Sequence, residues 1–437
     1  MGNSNLDAKK EGGKNQMTLL KNASQLLTLA GGPQRGDRLG ELGMIENGAV
    51  LFRDGAIVDV GSTQLLERKY PREPVVDAGG RVAMPGFVDP HTHLIWAGDR
   101  VNEFDMRLQG KTYQEIMAAG GGIISTVKAT RTASFEELFA QTNHRAVNMF
   151  QYGTTTAEVK TGYGLTTGSE LAQMKVLLEL ARCGPLEIVP TFLGAHAIAP
   201  EYGEDAESYT RVIVNEMLPR LKTWWNEHAR NQPLPFVDVF CERGAFDLQQ
   251  TRSILVKAKE LGFPLKLHVD EFENLGGSTL AAALEAVSAD HLVKTTRSDI
   301  MSLAISGTVA VALPCTPFGL GQTEYTPARD IIAANGYLAL ASDCNPGTAW
   351  CENMQFVIAL ACRYLHITPA QAVAAATINA AAAIQQADRI GSLEPGKQAD
   401  IILLSVNDYR HLAYRFGGNL VTHIIKKGKV FANPACN

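Results

Sequence analysis

Two histidines spaced i, i+2 close the apolar stretch Met84-Pro85-Gly86-Phe87-Val88-Asp89-Pro90-His91-Thr92-His93. On a strand, residues at this spacing face the same side, so both imidazoles can reach one ion. Imidazole is the commonest protein ligand for zinc and suits iron as well. Three further apolar runs end in groups of the same kind: Leu267-His268-Val269-Asp270-Glu271, Ser288-Ala289-Asp290-His291 and Ala341-Ser342-Asp343-Cys344-Asn345-Pro346-Gly347-Thr348. His91, His93, His268 and Asp343 together offer three nitrogens and one carboxylate oxygen. They leave a position for water, as a catalytic zinc or iron site requires. His291 is either a further ligand or a group that orients or deprotonates the water. Asp343 is suited to take a proton from that water. Glu271 is suited to protonate a leaving nitrogen or to hydrogen-bond substrate N–H groups. The chemistry expected is metal-dependent hydrolysis, with one Zn2+ or Fe2+/Fe3+ per chain.

A single histidine at a strand end is more often structural than catalytic. What argues for a site is the recurrence of His and Asp at several strand ends. His144, His228, His366, His411 and His423 fall in helix-like or terminal segments and are assigned to surface or packing roles. A second metal often needs a bridging lysine carbamate or carboxylate on the fourth strand. That strand, Phe236-Val237-Asp238-Val239-Phe240-Cys241-Glu242, has no lysine, and Lys160 lies on the second. One metal is therefore favoured, with Glu242 as a bridge left open.

The elements that must position these groups alternate. Apolar, β-branched runs at 87–93, 154–160, 187–195, 236–241, 265–269, 289–292, 308–313 and 338–342 are separated by helix-like stretches, such as 134–152 with Ser134 as N-cap. Alternating β and α elements imply a parallel sheet, and eight repeats imply a closed (β/α)8 barrel with its active site at the strand C-terminal ends. An open doubly wound sheet is the alternative, but no G-x-G-x-x-G opens a helix after the first strand. The two chain ends read differently. Ala49-Val50-Leu51-Phe52 and Ala56-Ile57-Val58-Asp59-Val60 flank an Asp54-Gly55 hairpin signal, and the runs at 399–404, 421–425 and 427–431 are strand-like. Neither end is long enough to bury a core alone, so both are expected to form one small discontinuous β-sandwich domain. The expected division is a disordered tail over 1–16, small-domain segments over 17–81 and 391–437, and the barrel over 82–390.

Composition narrows the function classes. A net charge of −5 and a pI near 6.1 give no basic surface for nucleic acid. No run of about 18 apolar residues would span a membrane. Residues 1–16 lack the apolar region of a signal peptide. Seven cysteines, an odd number without a C-x-x-C pair, give no disulfide framework and fit a reducing cytoplasm.

At these residues the chain resembles the amidohydrolase superfamily. The carrying segments are Met84 to His93 and the closing Gly391-Ser392-Leu393-Glu394-Pro395-Gly396-Lys397-Gln398-Ala399-Asp400. Within it the chain resembles the imidazolonepropionase family, through several segments in order. They are His93-Leu94-Ile95-Trp96-Ala97-Gly98-Asp99-Arg100 with Glu103, Phe104 and Arg107, then Gly120-Gly121-Gly122-Ile123-Ile124-Ser125-Thr126-Val127, and Glu158-Val159-Lys160-Thr161-Gly162-Tyr163-Gly164-Leu165. Phe192-Leu193-Gly194-Ala195-His196 and Asp343 to Thr348 follow. The resemblance covers about residues 45 to 432. It implies hydrolytic opening of 4-imidazolone-5-propanoate to N-formimidoyl-L-glutamate in histidine degradation, with metal ligands at His91, His93, His268 and Asp343. It also implies substrate contacts at Arg100, Tyr163, His196, Glu271, Asn345, Gly347 and Thr348, and a homodimer. On that basis Arg100 and Tyr163 would grip the substrate's carboxylate arm. His196 would polarise the ring carbonyl.

Two segments depart from the pattern. Leu313-Pro314-Cys315-Thr316-Pro317-Phe318-Gly319 replaces an aromatic-rich stretch, and Cys344, expected to point away from the metal, follows Asp343. The rival enzyme is a deaminase of a heteroaromatic amine, since His268-x-x-Glu271 resembles a deaminase pattern. Such a substrate gives Arg100 and Tyr163 no clear task. Hydrolysis of another cyclic amide is a nearer variant. A barrel serving only as an assembly module would have lost ligands that are all present here.

Overall fold

The computed structural model describes residues 17–112, 115 and 120–433; the tail expected over 1–16 lies outside the described residues. Eight parallel strands form the barrel: β1 (Phe87–Asp89), β2 (Thr154–Lys160), β3 (Glu187–Ala195), β4 (Phe236–Cys241), β5 (Leu265–Val269), β6 (Ser288–His291), β7 (Val309–Ala312) and β8 (Leu338–Leu340). Each sits on one of the eight apolar runs. Most of their residues are buried, which is why the runs read as continuous rather than alternating apolar sequence. The ring closes where the Asp343 N–H donates to the His91 carbonyl at 3.1 Å and the His93 N–H donates to the Cys344 carbonyl at 3.0 Å. Asp89, at the end of β1, accepts from the Ser342 N–H at 3.1 Å and from its hydroxyl at 2.5 Å, beside β8.

The strands Phe87–Asp89, Val309–Ala312 and Leu338–Leu340 stop short of their expected runs, while Leu265–Val269 fills its run. Asp270, His291 and Asp343 have φ of +56°, +81° and +54°. A left-handed residue breaks the pleat, so none of β5, β6 and β8 continues beyond these polar residues.

The helices between strands face inward with amphipathic stripes. The helix Phe135–Gln151 starts at Ser134, whose side chain accepts from the Glu137 N–H in a reciprocal capping box. It buries Leu138, Ala146, Met149 and Phe150 in the cluster that also holds Ala157 and Val159 of β2. Each such large apolar side chain contributes about 1.5–3 kcal/mol on burial. Among the described residues no helix is long and apolar enough to cross a membrane.

Both chain ends meet in a second, mixed sheet of eight strands. Met17–Leu27 pairs antiparallel with Met44–Arg53, which pairs with Ala56–Ser62 across the Asp54-Gly55 turn. Both turn residues have positive φ, +51° and +84°, as a tight hairpin of this hand requires. Ile401–Leu404 pairs antiparallel with Val82–Pro85 and with Val421–Lys426, which pairs with Lys429–Ala432. Val82–Pro85, read from sequence as the start of the barrel segment, thus belongs to the sheet of the chain ends. Leu20, Leu26, Val50, Ile401, Leu403 and Ile425 form its core.

Candidate active site

The mouth of the barrel collects the imidazoles. His91 and His93 follow β1, His268 lies in β5 and His291 ends β6; all four are buried. The Nε2 atoms of His268 and His93 are 3.1 Å apart. Asp343 Oδ1 lies 3.6 Å from His91 Nε2 and 3.5 Å from His93 Nε2.

Carboxylates behind the rings decide which nitrogen faces the centre. His91 Nδ1 lies 2.6 Å from Asp290 Oδ2, and His268 Nδ1 lies 3.0 Å from Asp238 Oδ2. A carboxylate accepts, so each Nδ1 carries the hydrogen and each Nε2 presents a lone pair. His91 Nε2 is buried with no hydrogen-bond partner. An orphaned lone pair 3.6 Å from Asp343 Oδ1, beside two further Nε2 atoms that are 3.1 Å from each other, fits a bound cation. Two ligands at about 2.0–2.1 Å from one zinc lie about 3 Å apart, as these do. Burial, with Lys160 and the neighbouring histidines, lowers His91 well below the usual imidazole range; burial and His196 do the same to His93. Neutral imidazoles are what a metal needs.

Asp343 is braced by the Thr316 hydroxyl, which donates a short hydrogen bond to Oδ2. Burial pushes its pKa up to about 6. Glu271 is buried two residues beyond the end of β5, with Oε2 3.6 Å from His291 Nε2. Burial and the nearby Asp343 and Glu242 raise its pKa well above the carboxylate range. Glu242 does not face the histidines. Its Oε1 accepts from the Arg243 N–H at 2.9 Å, and its Oε2 accepts from Phe272 and Glu273 at 2.9 and 3.3 Å. It braces the loop that carries Glu271, so it does not have the geometry of a metal bridge. Cys344 is fully buried in the core, and burial raises its thiol pKa. It is in neither of the two metal-competent groups among the described residues, His91-His93-His268 and His91-His291-Asp343.

His196 stacks on His93 with ring centroids 4.7 Å apart. Its Nδ1 lies 3.1 Å from the Gly162 carbonyl, which can only accept, so Nδ1 carries the hydrogen. Burial lowers the ring pKa to about 3. A neutral ring with its hydrogen on Nδ1 has an acceptor, not a donor, at Nε2. Polarisation of a carbonyl, as read from the sequence, would need a donor at that nitrogen. Tyr163, also buried, lies beside the stacked pair, 6.1 Å from the His93 ring and 5.2 Å from the His196 ring.

Near Tyr163, the Arg100 Nε and Nη2 donate to Glu103 Oε2 at 2.8 and 2.7 Å. Arg107 Nη2 donates to the Gly347 carbonyl at 2.9 Å. A Cβ at Gly347 would meet the Arg100 guanidinium, so a larger residue there would displace it from its present place. Two guanidiniums share this corner with one carboxylate, a net positive place for an anion. Asn345 Oδ1 accepts from the Gly347 and Thr348 N–H groups at 2.8 and 2.9 Å, and Nδ2 donates to the Asp343 carbonyl at 2.7 Å. The Asn345 amide therefore shapes the loop of Gly347 and Thr348 rather than reaching outward.

Sequence reasoning missed Asp238, Asp290, Thr316 and Arg107. The signal for the first two was available: a carboxylate inside an apolar strand is costly unless it has a buried partner. Thr316 had no signal, because it lies in the helix Cys315–Leu320 after β7 and meets Asp343 only in the folded chain.

The amidohydrolase family matches residues 82–431. A protein of Herpetosiphon aurantiacus named imidazolonepropionase is 52% identical over 412 residues, covering 94% of this chain and 96% of that one. Those of Chloroflexus aggregans and Symbiobacterium thermophilum are 47% and 46% identical, over 94% and 95% of this chain and 97% of each relative. Among solved structures, an adenosine deaminase from Xanthomonas campestris with bound zinc superposes with a TM-score of 0.70 at 19% identity, over 96% of this chain and 94% of that one. E. coli guanine deaminase gives 0.67 at 16%, over 95% and 98%. At these identities the structural likeness concerns the fold alone.

Proposed function

This chain belongs to the amidohydrolase family and within it to the imidazolonepropionase family, and from that premise we propose that it hydrolyses 4-imidazolone-5-propanoate to N-formimidoyl-L-glutamate in histidine degradation. The observation that carries the reading is the convergence of His91, His93, His268 and Asp343, with an orphaned His91 Nε2, at the mouth of the barrel. These four residues would hold a zinc or iron ion, which when bound supplies the Lewis acidity that makes water a nucleophile near neutral pH. The donor set suits either metal.

The chain's own residues do the rest. Asp343 Oδ1 takes a proton from the attacking water, while Thr316 holds Oδ2 so that Oδ1 stays turned toward the histidines. The water oxygen bonds to the ring carbonyl carbon and the adjacent C–N bond breaks. The leaving nitrogen takes its proton from Glu271, whose carboxyl burial shifts toward the protonated form, or from Asp343. His291 stands beside Glu271 and orients the water. His196 Nε2 accepts a ring N–H. Arg100 and Arg107 face the propionate arm, with Tyr163 as a further donor and the Asn345-braced Gly347 and Thr348 as the wall beside it. A heteroaromatic amine offers these guanidiniums no anion, which leaves the deaminase alternative without support at this corner.

The proposal extends to a cytoplasmic enzyme, supported by the six described cysteines being free thiols, and to a homodimer, supported by the family resemblance and tested by sedimentation. The function is tested by following loss of the ultraviolet absorbance of freshly generated 4-imidazolone-5-propanoate, with and without a chelator, alongside metal analysis. Chelator-sensitive loss with formimidoylglutamate as product is expected. Metal-replete protein that leaves this substrate intact would overturn the assignment.

A further inference from the structure

Beneath the histidines the barrel interior holds a layer of buried charge that the reaction as derived does not use. Lys160, the last residue of β2, is wholly buried, as are Glu158, Asp238, Asp290 and Lys266. The Lys160 Nζ lies 2.8 Å from Glu158 Oε1, 2.8 Å from Asp238 Oδ2 and 3.9 Å from Asp290 Oδ2. Each carboxylate has a second task. Asp238 holds His268 Nδ1 and Asp290 holds His91 Nδ1. Glu158 Oε2 accepts from the N–H of Thr92, the residue between His91 and His93, at 3.3 Å. The Lys160 backbone N–H donates to the Thr92 carbonyl at 2.9 Å. Lys266 Nζ also stands near Asp290, 3.5 Å from Oδ2, and donates to the Ser288 hydroxyl at 2.5 Å, but it contacts neither Asp238 nor Glu158 among the described ion pairs.

Stability alone does not call for this layer. Apolar side chains of similar volume usually do as well as a buried ion cluster. What the cluster does is connect three points of the ligand set through one atom, and partners behind metal-ligating histidines fix ring orientation and tautomer. We propose that Lys160 is a positioning residue: its ammonium holds Asp238, Asp290 and Glu158 in one arrangement, so that His268, His91 and the His91-Thr92-His93 turn all present to a single point. This rests on the reading of the mouth as a metal centre. Removal of the ammonium lets Asp238 and Asp290 repel one another, and the two imidazoles lose their common aim.

The test is Zn2+ affinity of the metal-depleted full-length protein, by competition with a chromophoric chelator, with circular dichroism and thermal melting as checks on the fold. Lys160→Met is expected to raise the Zn2+ dissociation constant by about 10–100-fold. The double variant Glu158→Gln/Lys160→Met removes one charge of each sign, so it relieves a simple ion pair but takes from Asp238 its cation and from the Asp238–Asp290 pair the ammonium that joins them, leaving Asp290 to Lys266. It is expected to stay at least about tenfold weaker than wild type. Wild-type affinity in either variant would overturn the proposal, because Lys160 would then only neutralise Glu158. Failure of both variants to fold would overturn it too, in favour of a purely structural cation. Wild-type protein that binds Zn2+ but leaves the imidazolone intact would sink the substrate assignment while the affinities still judge Lys160.

Discussion

The two ends of the barrel use buried charge in opposite ways. At the base, Glu187, the first residue of β3, meets the sheet of the chain ends. It accepts from Arg389 Nη2 at 2.5 Å, Gln398 Nε2 at 3.0 Å and Lys426 Nζ at 3.0 Å. Lys426 Nζ also donates to Asp400 Oδ2 at 2.7 Å. At the mouth, among the described residues, His91 Nε2 has no hydrogen-bond partner, Glu271 Oε2 stands 3.6 Å from His291 Nε2, and Asp343 faces two imidazole nitrogens. The titration follows. Burial by itself would raise Glu187, but Lys426 and Arg389 outweigh it and hold the carboxyl well below its usual range. Burial at the mouth is not outweighed, and Asp343 and Glu271 are pushed up. A satisfied network holds two units together; an unsatisfied one is poised for a ligand and a proton.

The largest effect should come at the mouth. Asp343→Asn is expected to lower kcat by about 10^3-fold or more while the melting temperature stays near that of wild type, since a positioned proton carrier contributes about 10^2–10^4-fold. An active variant would remove Asp343 from proton transfer. Arg100→Ala should raise KM for the substrate with its carboxylate arm by about 10–100-fold, the range for a lost charge-assisted hydrogen bond. An unchanged kcat/KM would take Arg100 out of the substrate site.

At the base the same kind of change should act on stability alone. Glu187→Gln is expected to cost about 2 kcal/mol in urea unfolding near pH 7 and to leave kcat unchanged. Because Glu187 has its pKa depressed by folding, its contribution is full above the unfolded value of about 4.3 and fades as pH falls below it. The gap between wild type and variant should therefore close in acid. A collapse of kcat in this variant would break the distinction between the two ends. The smallest effect is expected for Thr316→Ala, about tenfold in kcat from one lost hydrogen bond, with Thr316→Ser close to wild type. Equal loss in both would mean that the methyl group, not the hydroxyl, serves Asp343.

Much of the architecture was legible because it is local. The i, i+2 spacing of His91 and His93 places both rings on one side of any extended segment. The eight apolar runs, the Asp54-Gly55 turn and the Ser134 cap likewise depend on neighbours a few residues away, and each appears in the fold. The ends of the strands were less legible. Sequence has no marker for the left-handed backbone at His291 and Asp343, or for the end of the last barrel strand at Leu340.

What the chain determined by itself is therefore the kind of element at each position and the ligand types at the strand ends, since φ/ψ preference and side-chain period act over short range. What only the tertiary structure decided is which groups stand behind them. Asp290 reaches His91 across 199 residues of chain, and Asp238 reaches His268 across 30. Thr316 meets Asp343, Val82–Pro85 leaves the barrel for Ile401–Leu404, and Gly162 sets the tautomer of His196. These contacts exist only after parallel strands have taken their register and the ring has closed between His91 and Asp343, because that closure brings distant residues to hydrogen-bonding distance.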